Sequence, residues 1–94
     1  MEISFIELFK LKDPIIIDIR SIEKYNDNHI PRSINIDYNL LINNPNKYLN
    51  MNNNYYIYCQ RGITSKKVTQ ILRSFGYNVF SIIGGYEQYI LSKI

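Results

Sequence analysis

The stretch Tyr55-Tyr56-Ile57-Tyr58-Cys59-Gln60-Arg61-Gly62-Ile63-Thr64-Ser65 carries the clearest architectural signal in the chain. Its first four residues are β-formers with no polar break, which reads as a strand. From Thr64 onward, apolar residues recur at Val68, Ile71, Leu72 and Phe75, the spacing of one helical face. Gly76 follows in the position of a helix C-terminal cap. A strand therefore runs through a short polar loop into a helix, and the only cysteine of the chain begins that loop.

The same alternation repeats on both sides of this stretch. Ser4 and Glu7 form a capping box ahead of a helix whose apolar face is Phe5, Leu8 and Phe9, ended by Lys12-Asp13-Pro14. Ile15-Ile16-Ile17 up to Asp18 reads as a strand buried on both faces, as in a parallel sheet. Ser21 caps a short helix carrying Ile22 and Tyr25; His29-Ile30-Pro31 is a turn, and Ser33 to Ile36 a strand. Residues 38–54, polar and rich in Asn, hold short helical turns. After the central helix, Asn78 to Ile83 is a strand, and Gly84-Gly85 turns into a last helix with Tyr86, Tyr89 and Ile90. Alternating strands and helices imply an α/β fold with a mainly parallel sheet. No linker or repeat divides the chain, so residues 1–94 form one domain.

Composition bounds the function. Of 94 residues 46% are hydrophobic and only 20% charged, which supports a folded core rather than a disordered segment. The net charge of +3 favours small anionic partners. The basic residues are scattered rather than massed in a stripe, which argues against nucleic acid as a partner. No apolar run approaches the ~20 residues of a membrane span, and Met1-Glu2-Ile3-Ser4 has no signal-peptide character. One cysteine gives no disulfide framework, so a cytoplasmic location is expected. One Cys and one His are a poor basis for a metal site, and no cofactor is expected.

The loop chemistry follows from its place. In open parallel sheets, ligands bind beyond the carboxyl ends of the strands. There the following helix turns unpaired N–H groups toward Cys59, a setting that lowers a thiol pKa and holds anions. Gly62 lets the loop curl into an anion nest, Arg61 adds a permanent charge, and Thr64 and Ser65 offer hydroxyls as caps. A buried structural cysteine would fit the local pattern as well. No Gly-rich loop ending in Lys-Ser/Thr is present, which argues against a nucleoside triphosphate site.

Three separated segments together resemble the rhodanese family. The first is Asp18-Ile19-Arg20 with Glu23, Tyr25, His29-Ile30-Pro31 and Ile34-Asn35-Ile36. The second is the six-residue loop Cys59 to Thr64 with Gly fourth. The third is Gly76-Tyr77 with Val79, then Gly84-Gly85-Tyr86 and Tyr89. The resemblance spans essentially the whole chain. Asn28, Arg32 and Ser33 stand where the family usually has Gly, Gly and Ala, which implies an altered turn at Arg32. The resemblance implies a rhodanese-like fold: a central, mainly parallel five-stranded sheet with helices on both faces. It further implies a sulfurtransferase whose catalytic Cys59 takes sulfane sulfur from a small anionic donor such as thiosulfate. A Cys59 persulfide then passes that sulfur to cyanide, a thiol or a protein acceptor. Gln60, Arg61, Gly62, Ile63, Thr64 and Ser65 would bind the substrate and stabilise the persulfide. Asp18 and Arg20 would form a structural ion pair near the site, with His29 hydrogen-bonded to backbone in its turn.

Two rivals remain at this stage. A cysteine phosphatase uses a longer loop with Arg six places after the nucleophile, where this chain has Ser65. The second is a non-catalytic binding module of the same fold, but inactive relatives usually lose the cysteine, which this chain keeps at Cys59. Between the enzyme and the module lies a sulfur carrier whose acceptor is one specific partner protein.

Overall fold

A computed structural model describes residues 1–93. In chain order the elements are β1 (Glu2–Ile3), α1 (Phe5–Leu8), β2 (Ile15–Asp18), α2 (Ile22–Asp27), β3 (Ile34–Asn35), α3 (Tyr38–Asn43), α4 (Pro45–Tyr48), β4 (Asn54–Tyr58), α5 (Ile63–Ser74), β5 (Asn78–Ile82) and α6 (Gly85–Ser92). The strands form a five-stranded sheet in the order β1-β5-β4-β2-β3. Every pairing is parallel, with Ile17 opposite Ile57 and Tyr55 opposite Val79.

Strand side chains alternate between two buried faces. Ile17, Tyr55, Ile57 and Val79 pack with Leu41, Leu49, Val68 and Leu72, so α3, the end of α4 and α5 cover one face. Ile16, Tyr56, Tyr58 and Ile82 pack with Phe5, Leu8, Tyr86 and Tyr89, so α1 and α6 cover the other. Burial on both faces explains why Ile15-Ile16-Ile17 is apolar without alternation. Among the described residues no helix is long and apolar enough to cross a membrane.

Local differences from the sequence reading have physical causes. The strand β1 escapes notice because two residues carry no period; it is held at the sheet edge by Ser81 N–H to the Met1 carbonyl (3.0 Å) and Ile83 N–H to the Ile3 carbonyl (2.9 Å). The capping box is present, with Ser4 Oγ accepting from Glu7 N–H at 3.2 Å, but α1 ends at Leu8 and Phe9 is 56% exposed. The buried stripe of α5 is Ser65, Val68, Thr69 and Leu72, while Ile71 and Phe75 lie outside it. Asn28 is extended, and Arg32 takes φ +72°, the left-handed conformation that glycine adopts freely. Arg32 thus adopts a glycine-like backbone, and the turn is closed by Ser33 N–H donating to the Ile30 carbonyl at 3.0 Å.

Candidate active site

Cys59 leaves the carboxyl end of β4, and Gly62 curls the loop back over it with φ +90°. Its sulfur accepts hydrogen bonds from the backbone N–H of Gly62 (3.1 Å) and of Ser65 (3.3 Å), and the Ser65 hydroxyl stands at 3.4 Å. These donors exist because α5 begins here and its first-turn N–H groups have no partner within the helix. Burial opposes ionisation of Cys59. The Ser65 hydroxyl and the N–H groups of Ser65, Gly62 and, last, Arg61 outweigh it and hold the thiol below the ordinary 9.0.

The loop is closed from behind by α6. Tyr86 N–H donates to the Cys59 carbonyl (2.9 Å) and Glu87 N–H to the Gln60 carbonyl (3.0 Å). So close an approach leaves no room for a Cβ at Gly85, which would meet the Cys59 carbonyl oxygen and stand 2.8 Å from Gly62 N. Gly84-Gly85 turns the chain into α6 as expected, and Gly85 also lets the backbone of that helix meet the cysteine loop.

The other site residues divide. Gln60 accepts from Arg20 Nη1 at 3.3 Å. Arg61 reaches the rim and pairs with Glu87 at 3.3 Å. Ile63 and Thr64 are exposed beside the sulfur, and with Lys24, Cys59, Gln60 and Arg61 they line an open cleft of about 400 Å³. Thr64 and Ser65 are not helix caps: the cap position is Gly62, and both hydroxyls fall within the first turn of α5. Ser65 is wholly buried against the sulfur.

Asp18 and Arg20 form a buried bidentate pair at the carboxyl end of β2, with Nη2 to Oδ2 at 2.8 Å and Nε to Oδ2 at 3.0 Å. The guanidinium also donates to the Asn28 carbonyl (2.6 Å) and lies 4.1 Å from the Tyr86 ring centroid. It joins β2, the turn after α2, the cysteine loop and α6. His29 stands apart from the sulfur cleft. Its Nδ1 donates to the Tyr25 carbonyl at 2.8 Å, and its ring stacks on Tyr25 at 3.8 Å.

Two residues were not foreseen as part of the site. Lys24, exposed on α2, lines the cleft and, among the described residues, has no carboxylate within ion-pair reach. Ser81, wholly buried on β5, lies 2.7 Å from the Ser65 hydroxyl. The signal for Ser81 was its alternation with Val79, which puts a hydroxyl on a core-facing position. Lys24 carried no such signal, because surface lysines on helices are common.

Comparison with known proteins agrees with this architecture. The model of the rhodanese-like domain matches residues 4–92. The tRNA sulfurtransferase of Thermoplasma acidophilum is 39% identical over 74% of this chain, which spans only 15% of that longer relative. The thiosulfate sulfurtransferase GlpE of Coxiella burnetii is 33% identical over 86% of the chain and 76% of that protein. The crystal structure of a rhodanese-like domain protein from Staphylococcus aureus superposes with a TM-score of 0.82 at 30% identity, covering 93% of this chain and 89% of that one. The three segments, the all-parallel sheet and these matches lead to one assignment: the chain belongs to the rhodanese-like domain family.

Proposed function

We propose that the protein is a sulfurtransferase that carries sulfane sulfur as a persulfide on Cys59. The observation that carries this reading is the hydrogen-bonded sulfur at the floor of an open cleft. In the first step the Cys59 thiolate attacks the outer sulfur of thiosulfate. The Cys–S bond forms, the sulfur–sulfur bond of the donor breaks, and sulfite leaves with the bonding pair. In the second step cyanide or a thiolate attacks the terminal sulfur of the persulfide, and Cys59 leaves as thiolate. Both forms of the enzyme are anionic on sulfur. The chemistry therefore needs charge stabilisation more than acid–base help, and each charge-assisted hydrogen bond supplies roughly 1.5–3 kcal/mol. The name of the Coxiella relative supports thiosulfate as donor, and a thiol that must cycle reduced fits a cytoplasmic setting.

Gln60, Arg61, Gly62, Ile63, Thr64 and Ser65 divide the work in this reading. Gly62 and Ser65 hold the sulfur charge, Arg61 meets the donor anion, and Gln60, Ile63 and Thr64 shape the cleft. Asp18 and Arg20 hold the loops in place, and His29 fixes its turn.

The test is the intact mass of reduced protein after exposure to excess thiosulfate and removal of the donor, beside Cys59→Ser. A gain of one sulfur atom, reversed by dithiothreitol or cyanide and absent from the variant, is the expected result. No gain, with Cys59 still open to alkylation, would reject thiosulfate and favour a non-catalytic docking module or another donor.

A further inference from the structure

The hydroxyl of Ser65 stands between two buried atoms, Cys59 Sγ at 3.4 Å and Ser81 Oγ at 2.7 Å. Ser65 and Ser81 are both wholly buried, so water is not available to complete their hydrogen bonds. Each hydroxyl has one proton to give, whereas a thiolate only accepts. When Cys59 is ionised, the Ser65 proton must point to the sulfur, and the Ser65 oxygen is left to accept from Ser81. When Cys59 is a thiol, the sulfur proton can point to Ser65 and the Ser65 proton to Ser81. Ionisation thus reverses the direction of a two-hydroxyl chain, while the sulfur proton leaves to solvent through the cleft.

We infer that Ser81 is a positioning residue for Cys59 that acts through Ser65 rather than by a hydrogen bond of its own to the sulfur: by donating to Ser65 it commits the Ser65 proton to the thiolate. The placement is built into the sheet. Ser81 lies on β5 between β1 and β4, its backbone N–H is taken by the Met1 carbonyl, and its side chain shares a face with Val79. The hydroxyl is therefore held in one place by a strand paired on both sides. Hydrogen bonds in such a chain strengthen one another.

The inference rests on Cys59 as the reacting thiol and needs no sulfur donor, so its test is separate from that of sulfur transfer. The rate of Cys59 alkylation by iodoacetamide is measured against pH in the wild type, Ser81→Ala, Ser65→Ala, the double variant and Ser81→Thr. The charged and titratable groups around the loop are Asp18 and Arg20 from β2, Lys24 from α2, Tyr58 from β4, Arg61, and Tyr86 and Glu87 from α6. All are unchanged in every variant.

The expected result is a Ser81→Ala profile moved to higher pH, with the rate below the inflection reduced about three- to tenfold and the high-pH plateau kept. The double variant should match Ser65→Ala, because the effect of Ser81 passes only through Ser65. Ser81→Thr, which keeps the hydroxyl, should restore the wild-type profile. A Ser81→Ala profile that coincides with wild type would overturn the inference, even if the variant melts at a lower temperature, since Ser81 would then serve packing alone. Additive shifts in the double variant would overturn it too. The expected shifts in a protein that gains no sulfur from thiosulfate would count against the proposed function and leave the relay standing.

Discussion

Arg61 and Glu87 face each other at 3.3 Å across the seam between the cysteine loop and α6. Their side chains are 73% and 51% exposed, so the pair adds little to stability. In the proposed role of Arg61, Glu87 competes with the donor anion for the guanidinium. Arg61→Ala should raise KM for thiosulfate more than it lowers kcat, and Glu87→Gln should lower KM. Each change should be about two- to fivefold, the scale of an exposed charge pair. Steady-state kinetics at low salt decides it; an unchanged KM in Arg61→Ala would remove that residue from donor binding.

Lys24 reaches the same cleft with no partner among the described residues. The expected outcome of Lys24→Gln is slower reaction of Cys59 with anionic iodoacetate and little change with neutral iodoacetamide. The ratio of the two rates should fall about two- to fivefold at low ionic strength and converge with wild type in high salt. Equal slowing with both reagents would point to altered loop geometry instead.

Ionisation of Cys59 links folding to pH. Its folded pKa is depressed below 9.0, so its contribution is fully present above the unfolded value and is lost as pH falls through the folded one. The stability of wild type relative to Cys59→Ser should therefore grow as pH rises through that window. Urea unfolding at a series of pH values measures it, and a difference that stays flat would contradict a thiolate-stabilising loop.

Asp18 is wholly buried and accepts from three nitrogens of Arg20, one of them the backbone N–H. Asp18→Ala leaves a buried guanidinium uncompensated, a change that costs about 3–5 kcal/mol. In a domain whose whole stability is roughly 5–15 kcal/mol, the thermal midpoint should drop steeply. A midpoint near that of wild type would show that Asn28, Gln60 and Tyr86 suffice to hold Arg20.

Much of this was legible in the sequence where a pattern had length. Three buried strands and the central helix announced themselves by composition and period, and the place of Cys59 followed from them. Elements set by contacts far along the chain leave no such pattern. Two residues of β1 become a strand only because β5 is there to pair with them. Ile71 and Phe75 keep helical spacing, but the sheet meets α5 on the Ser65–Val68–Thr69–Leu72 side. Thr64 and Ser65 look like caps until Gly62, by its positive φ, starts the helix earlier. Asp18, Arg20 and the cysteine loop could be grouped only through family resemblance, since nothing local says that Arg20 and Gln60 meet.

The sulfur is cradled largely by main-chain N–H groups, and its loop is clamped by main-chain bonds from α6. Main-chain donors are common to nearly all residue types. The side chains of Gln60, Arg61, Ile63 and Thr64 are therefore released from the task of holding charge on the Cys59 sulfur itself. They form the outward wall of the cleft and are free to vary with whatever molecule approaches. In the proposed reaction, residues 60–65 serve two ends, holding the sulfur through the backbone and meeting the approaching molecule through the side chains. Selection can thus retune recognition at this wall without rebuilding the reaction beneath it, provided that the glycines and Ser65 stay.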